Sequence, residues 1–239
     1  MNIALIGYGK MGKAIESIAI EKGHNIVLKI DISNAADLTA AQLSKADVAI
    51  EFTGPHSAVN NLKICLDAGI PVVCGSTGWL AQWNEIKACC EARNGTLVYA
   101  SNYSIGVNLF FEVNKHLAAL MNQYPEYDVM LREIHHTEKK DAPSGTAITL
   151  AEQVLEKIER KKQWVNTTVA TPGADLQILS ERIDPAPGTH HVKYSSAVDD
   201  IEIIHTAHNR IGFAGGAVKA AEFTFGKKGI FGMKEVLGL

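Results

Sequence analysis

The chain contains 239 residues with a formal net charge of −3, and 46% of the residues are hydrophobic. This balance is typical of a globular protein with one large or two modest domains, and it excludes nucleic-acid or membrane-surface binding driven by bulk positive charge. No apolar run reaches the ~18–20 residues that span a bilayer, and the N-terminal segment lacks the features of a secretion signal. We therefore expect neither a nucleic acid nor a membrane as a partner.

The first hundred residues alternate short apolar runs with amphipathic stretches. Such alternation indicates strand–helix–strand units, a parallel sheet and a doubly wound domain. The predicted strands are 2–7, 25–31, 47–53, 71–75 and 96–101, and the predicted helices are about 10–23, 56–69 and 80–93.

The pattern changes after Asn102. It predicts a helix over about 106–122, a strand over 127–136 and a helix from near Ser144 to about Lys161. Strand-like runs follow without intervening helices, which favours a mostly antiparallel sheet. The last segment returns to helix and is expected to pack on the first domain. The later strand-like runs are 165–171, 176–183, 189–196 and 200–210, and the last segment is 214–239.

The expected fold class is therefore α/β, a Rossmann-type doubly wound parallel sheet with an inserted α+β domain. The predicted division assigns residues 1–105 and 211–239 to a dinucleotide-binding domain and residues 106–210 to a substrate-binding domain.

The segment GYGKMG follows the first strand and opens the first helix. It matches G-x-G-x-x-G, in which Gly7 permits the tight turn, Gly9 lets the backbone approach a pyrophosphate, and Gly12 lets the helix pack on the strand. The N–H groups at the helix start would hold the anion. A plain turn with spare glycines is the alternative interpretation.

Asp31 ends the second strand, where a carboxylate accepts the ribose hydroxyls of NAD and repels a 2′-phosphate. The next residue is Ile32, not an arginine that would bind such a phosphate. Lys10, and less plausibly Lys29, could partly replace the positive charge of that arginine. We expect NADH to be at least as good a cofactor as NADPH.

Two further loops follow the third and fourth strands, at the edge where open α/β sheets bind ligands. The first contains Phe52 and Thr53, and the second contains Gly75 and Thr77. A hydroxyl beside glycine suits a nicotinamide ribose or carboxamide, although either loop is also compatible with a plain turn.

The segment REIHHTEKKDAPSGTA, residues 132–147, lies between a strand and a helix of the second domain. His135 can donate and accept a proton near neutral pH, and His136 and Lys139 add positive charge beside it. This combination suits reduction of a small anionic substrate. A solvated charged loop is the alternative.

The same segment carries a helix-start signal. Ser144 or Thr146 can cap the helix, and the N–H groups of Gly145 and Thr146 point outward, where the helix dipole favours a carboxylate.

The histidine-rich stretches at 135–136, 190–191 and 205–208 raise the possibility of zinc. No set has a closed ligand spacing with cysteine, so no metal is expected. The four cysteines, Cys65, Cys74, Cys89 and Cys90, form no Cys-x-x-Cys motif. We expect reduced thiols, which favour the cytoplasm.

Five motifs in order make the chain resemble the 4-hydroxy-tetrahydrodipicolinate reductase family over essentially its whole length. They are GYGKMG, EFT, GSTGW, SNYSIGVN and HNRIGFAGGAV, and E-x-H-H-x-x-K-x-D-A-P-S-G-T-A at 133–147 adds the family signature. The resemblance implies NADH- or NADPH-dependent reduction of a dicarboxylate, dihydrodipicolinate, to 2,3,4,5-tetrahydrodipicolinate in lysine and diaminopimelate synthesis. It also implies a homotetramer formed through the sheet of the second domain.

The resemblance also implies residue roles. His135 corresponds to the general acid, and Lys139 to a proton donor and carboxylate contact. The implied substrate-binding positions are His136, Ser144, Gly145, Thr146 and Arg210. The implied cofactor-side positions are Gly7, Met11, Gly12, Asp31, Gly75, Thr77 and Asn102, with Tyr103 where many members have Phe.

Two other functions compete with this interpretation. Another two-domain amino-acid dehydrogenase, acting on aspartate or homoserine, has no need for the paired proton carriers at 135–139. A dinucleotide sensor without turnover has no need for them either. The segment between Asp31 and Asp47 is shorter than in many family members, which trims the region near the adenine.

Overall fold

The computed structural model describes residues 1–168, 173–209 and 211–239. Its helices and strands are, in chain order, β1 (Asn2–Ile6), α1 (Lys10–Glu21), β2 (Asn25–Ile30), α2 (Ala40–Leu43), β3 (Val48–Glu51), α3 (Ala58–Asp67), β4 (Val72–Cys74), α4 (Trp83–Ala92), β5 (Thr96–Tyr99), α5 (Ile105–Met121), β6 (Asp128–His135), α6 (Gly145–Lys157), β7 (Gln163–Val165), β8 (Asp175–Arg182), β9 (Thr189–Ser195), β10 (Asp200–Thr206), α7 (Ile211–Phe223), β11 (Gly229–Phe231) and α8 (Met233–Leu237). Short 3-10 helices cover Ile32–Asp37 and Leu80–Gln82.

The chain divides into two compact units, Met1–Ile105 with Ile211–Leu239, and Gly106–Arg210. The first unit contains a parallel sheet in the order β11-β5-β4-β3-β1-β2. Helices α3 and α4 bury their apolar faces on one side, and α1, α7 and α8 do so on the other. Every residue of β3 is buried, because both faces of this strand are covered. This doubly wound sheet confirms the predicted fold class.

Two parts of the first unit differ from the sequence prediction. Strand β11 lies within the segment predicted as helix, and it pairs with β5 in parallel. Because β11 is only three residues long, its sequence shows no measurable hydrophobic period. The shortened segment after Asp31 contains a 3-10 helix and the four-residue α2, neither of which was predicted.

The second unit contains a sheet in the order β10-β9-β6-β8-β7. The expectation of a mostly antiparallel sheet is wrong, because β6 and β7 both pair with β8 in parallel, while β9 pairs antiparallel with β6 and β10. Helix α6 returns the chain to the end of the sheet at which β6 begins, so β7 runs parallel to β6. The predicted strand 165–171 extends over residues 169–172, which lie outside the described residues.

Helices α5 and α6 cover one face of this second sheet. Along β6, burial alternates with period two, so Glu133 and His135 project to the same covered face as Val129 and Leu131. This alternation places two polar side chains at the edge of an apolar core, where they form the site described next.

In the described part of the chain, no helix is both long and apolar enough to cross a membrane. All four cysteines are free thiols.

Candidate active site

Glu133, His135 and His190 form a buried polar cluster in the second unit. The antiparallel register of β6 and β9 pairs Glu133 with His190, and His135 lies two residues further along the same face. The His135 Nδ1 contacts Oε2 of the Glu133 carboxylate, and the rings of His135 and His190 pack edge to face with centroids 5.2 Å apart. Only 7% of His135 is exposed, and Glu133 is fully buried.

Arg182 neutralises Glu133 from the other neighbouring strand. The parallel register of β6 and β8 sets Arg182 beside His135, and its two terminal nitrogens donate to Glu133 Oε1 at 3.2 and 3.1 Å. The backbone N–H of Ser144 donates to the same oxygen at 3.3 Å. A buried carboxylate is stable only with such compensation.

These contacts set the protonation of two groups. Burial by itself raises the pKa of the Glu133 carboxyl, but its contacts with His135, Ser180 and Arg182 outweigh that effect and hold the pKa at about 2. Burial and then the charge of His135 lower the pKa of His190 to about 3. Near neutral pH, Glu133 is therefore an anion and His190 is uncharged.

Ser144 connects the cluster to the first turn of α6. Its Oγ accepts the N–H of Ala147 at 3.2 Å as the helix cap and lies 3.1 Å from His190 Nε2. The sequence predicted either Ser144 or Thr146 as the cap, and in the structure the cap is Ser144. A Cβ atom at Gly145 would meet no atom within 4 Å, so there is open space at the helix start, beside Gly145 and Thr146.

Lys139 lies in the loop between β6 and α6. Its Nζ donates to Asp141 Oδ1 at 2.8 Å, and its backbone carbonyl accepts from Arg182 Nε at 3.2 Å. Arg182 also donates to the carbonyl of Asp141 at 2.5 Å. The same arginine therefore fixes Glu133 and the loop that presents Lys139. His136 is half-buried at the start of this loop, whereas Arg210 lies outside the described residues.

The donor atoms of Glu133, His135 and His190 lie within 4.8 Å of one another, which is close enough to share a metal ion. The guanidinium of Arg182 already pairs with the same carboxylate, with Nη2 at 3.1 Å from Glu133 Oε1.

The glycine loop of the first unit has the geometry that its motif predicts. Gly7 has φ +96°, and a Cβ atom there would collide with the backbone of Phe52. A Cβ at Gly12 would collide with the carbonyl of Gly7. Gly9 has no atom within 4 Å of its Cβ position, so its backbone is open to an approaching ligand. Exposed Lys10 and half-buried Met11 follow in the first turn of α1.

Asp31 lies exposed at the end of β2, where it accepts the N–H of Ile32 at 2.7 Å. Neighbouring Lys29 is not a free cation: its Nζ lies 2.5 Å from Glu16 Oε1 and 4.9 Å from the centroid of the Tyr8 ring. Of the two lysines proposed to compensate for Asp31, only Lys10 makes no ion pair or cation–π contact within the described part of the chain.

The two other cofactor-side loops are supported by a buried carboxylate that the sequence did not single out. Glu51, fully buried at the end of β3, contacts the hydroxyl of Thr53 and accepts its N–H at 3.1 Å. The Ser76 hydroxyl accepts the same N–H at 2.8 Å, while Thr77 is exposed. Gly75 leaves room for the ring of Phe52.

Tyr103 and Asn102 follow β5. The Tyr103 side chain is only 2% exposed, and its hydroxyl donates to the carbonyls of Cys74 and Val98 at 2.8 and 3.1 Å. It therefore supports the ends of β4 and β5 from within the core, which leaves only its backbone for a ligand. Asn102 Oδ1 accepts the N–H of Ser104 at 2.9 Å.

The sequence analysis gave no role to Glu133 or Arg182 and considered His190 only as a possible zinc ligand. Arg182 and His190 lie on strands that carry no motif, and only strand register brings them to His135. A signal was nevertheless present. Arg182 shares a strand face with Leu176 and Ile178, and a charge in such an apolar alternation indicates a buried ion pair.

The chain matches two family models, described as dihydrodipicolinate reductase N-terminus over residues 1–103 and dihydrodipicolinate reductase C-terminus over residues 106–237. A protein of Christiangramia forsetii named 4-hydroxy-tetrahydrodipicolinate reductase is 47% identical over 239 residues, covering 99% of this chain and 98% of the relative. A protein of the same name from Methanoregula boonei is 34% identical over 245 residues, covering 97% and 95%. The solved structure of dipicolinate-bound dihydrodipicolinate reductase from Paenisporosarcina sp. TG-14 has a TM-score of 0.77 at 23% identity and covers 97% of both chains.

Proposed function

The chain belongs to the dihydrodipicolinate reductase family, also named 4-hydroxy-tetrahydrodipicolinate reductase, and we propose how its two units share the reaction of that family. The enzymes are NAD(P)H-dependent oxidoreductases of lysine biosynthesis, so the dehydrogenase and sensor alternatives fall away. In this proposal the first unit binds the dinucleotide, and the second unit binds and protonates the substrate.

The reduction needs a hydride and a proton. A bound nicotinamide would supply the hydride to C4 of the unsaturated ring in the dehydrated substrate, and conjugation would place electron density on the ring imine nitrogen and on the ring carbon α to the imine carbon. A proton at that α carbon completes 2,3,4,5-tetrahydrodipicolinate. His135 is the better-supported donor, because its Nδ1 is committed to Glu133 and its Nε2 is left for exchange. This buried Glu133–His135 pair is the observation that carries the proposal.

The substrate carries two carboxylates, which require cations and N–H donors. We assign one to the N-terminal turn of α6 beside Gly145 and Thr146, where the backbone offers N–H groups outside the helix ladder. Lys139 and His136 supply positive charge next to it. Lys139 would exchange its partner Asp141 for the substrate, which makes it a carboxylate anchor before it is a proton donor. Arg210 stays a predicted contact.

For the cofactor, we propose that NADH serves at least as well as NADPH. Asp31 lies where the adenine ribose of a dinucleotide binds in this fold, and its carboxylate repels a 2′-phosphate. Lys29 offers little compensation because it is paired with Glu16. A more than tenfold preference for NADPH in kcat/KM, roughly 1.4 kcal/mol, would contradict this assignment.

We also propose a homotetramer formed through the uncovered face of the second sheet. Partly exposed Met130, Arg132 and Ile134 of β6 lie on this face, as does Ile204 of β10, which is 53% exposed. Light scattering on the purified protein tests this, and a monomer at micromolar concentration would contradict it. The four free thiols fit the reducing cytoplasm, where we place the enzyme.

The decisive experiment measures NADH and NADPH oxidation with dihydrodipicolinate generated in situ from pyruvate and aspartate semialdehyde. Substrate-dependent oxidation is the expected result, and the ratio of the two rates tests the role of Asp31. A protein that binds NADH and oxidises neither cofactor with this substrate would refute the proposed function.

A further inference from the structure

Building on the proposed function, we propose that Glu133 is a positioning residue that fixes which nitrogen of His135 delivers the proton. Glu133 touches neither substrate nor cofactor in this proposal. It acts through the imidazole by holding Nδ1, so that Nε2 faces the reacting ring.

The first support is the set of hydrogen-bond donors around the Glu133 carboxylate. Three donors converge on Oε1, two from Arg182 at 3.2 and 3.1 Å and the backbone N–H of Ser144 at 3.3 Å. The other oxygen, Oε2, contacts His135 Nδ1. A fully buried carboxylate fixed on one side by a guanidinium and a helix-start N–H cannot rotate away, so it holds the imidazole in one orientation.

The second support is the space around His135 Nε2. Gly188, at φ +155°, lies beside the ring, and a Cβ atom there would come within 3.0 Å of Nε2. Any side chain at this position would crowd the nitrogen that Glu133 leaves available. Glycine adopts this positive φ without strain, and its missing side chain leaves Nε2 free of a collision from this side.

The third support is the charge around the ring. The titratable and charged groups that face His135 are Glu133 on its own strand, Arg182 on β8, His190 on β9 and Lys139 in the loop, which is itself paired with Asp141. Glu133 and Arg182 neutralise each other, as do Asp141 and Lys139. Burial and then the charge of His135 hold the pKa of His190 at about 3, so His190 is uncharged near neutral pH.

The proton transfer balances within this arrangement. The Nε2–H bond of the His135 imidazolium breaks, its electrons return to the ring nitrogen, and the proton forms the new C–H bond at the ring carbon α to the imine carbon of the hydride-reduced substrate. The Nδ1–H bond stays intact, with Nδ1 in contact with Glu133 Oε2. Neutral His135 then takes a proton from water before the next turnover.

The test compares Glu133→Gln with a matched control, Glu112→Gln. Both variants remove one carboxylate paired with a cation in the second unit, since Glu112 pairs with Lys115 on α5. For Glu133→Gln we expect kcat to fall about 100-fold with the KM for NADH within threefold. We also expect the alkaline limb of the kcat profile to move down by about one pH unit or more, because the imidazolium loses its neighbouring anion. Glu112→Gln leaves both unchanged.

A merely structural role for Glu133 would lower kcat and stability without moving the pH profile, and that outcome would overturn the inference. Glu133→Asp, which keeps the charge, is expected to restore the position of the alkaline limb even where kcat stays low. If Glu133→Asp fails to restore the position of the alkaline limb, that result would also overturn the inference.

A readout independent of turnover separates this inference from the proposed function. Side-chain 15N NMR of the wild-type protein above pH 8 is expected to show His135 as the Nδ1–H tautomer, and Glu133→Gln is expected to shift it toward Nε2–H. Wild-type protein with the Nε2–H tautomer would refute the role of Glu133 whether or not the enzyme reduces dihydrodipicolinate. Correct tautomers in a protein that does not turn over would refute the proposed function alone.

Discussion

The two candidate binding regions are built by opposite means. The glycine loop of the first unit is open and consists of backbone, with Gly9 free of any neighbour at its Cβ position. The cluster of the second unit is closed and consists of side chains, with Glu133 fully buried beneath His135. A backbone loop can be recognised from a short run of residues, whereas a side-chain cluster depends on which strands pair and in which register.

The largest expected effect follows from removing the side chain at the centre of the closed cluster. His135→Gln is expected to lower kcat by about 100-fold or more, because general acid catalysis contributes that much and glutamine cannot carry the proton. Cofactor affinity should stay within threefold, since the first unit is untouched. Steady-state kinetics and NADH binding by fluorescence measure the two quantities. A kcat within threefold of wild type would remove His135 from the acid role.

A pair of glycine variants tests whether the open loop really acts through its backbone. Gly9→Ala is expected to raise the KM for NADH by about tenfold and leave the melting temperature unchanged, because the added methyl meets only the ligand. Gly12→Ala is expected to lower the melting temperature, because its methyl collides with the carbonyl of Gly7. Equal thermal stability of the two variants would contradict the assignment of separate roles.

The closed cluster should also respond to pH in a way that the open loop cannot. The pKa of His190 is about 3 in the folded protein against about 6.5 in the unfolded chain, so the unfolded chain binds more protons between those values and acid favours unfolding. Between pH 6.5 and 5 the unfolding free energy should fall by about 1 kcal/mol per pH unit.

Urea denaturation at several pH values measures that slope. His190→Gln is expected to be less stable at pH 7 but to show a shallower slope, because the perturbed imidazole is gone. His116→Gln, which replaces an exposed histidine on α5, serves as the control and should retain the wild-type slope. A wild-type slope in His190→Gln would mean that another group is responsible.

The smallest expected effect distinguishes proton transfer from metal chemistry in the closed cluster. Dialysis against a chelator should leave kcat within experimental error of the untreated enzyme, because Arg182 already compensates Glu133. Lost activity that zinc restores would show that Glu133, His135 and His190 bind a metal ion.

The sequence was most predictive at positions where only glycine fits without a steric collision. Gly7 and Gly12 are identified by collisions that any side chain would cause, so the motif carries its own reason. The parallel pairing of β6 with β8 was not accessible in this way, because α6 and β7 lie between the two strands in the chain and nothing local marks which strands pair. Arg182 was missed for the same reason, since its role exists only once that pairing is made.

The structure also separates buried from exposed side chains at the cofactor-side positions. Tyr103, a predicted cofactor-side position, and Ser76, next to Gly75, have buried side chains that hydrogen-bond to neighbouring backbone groups. Sequence position near a motif does not distinguish a ligand contact from the support beneath it. Burial of the side chain does, and burial follows from the packing of the whole unit.

Because Arg182 lies on β8, the site that contains the signature segment is not continuous in sequence. The arginine donates to Glu133 on one side and to the carbonyls of Lys139 and Asp141 on the other, from a strand more than forty residues further along the chain. A protein engineer who transplanted residues 133–147 into another scaffold would move the proton carriers and leave their anchor behind. The smallest portable piece of this enzyme is therefore β6, its loop, the start of α6 and β8 together.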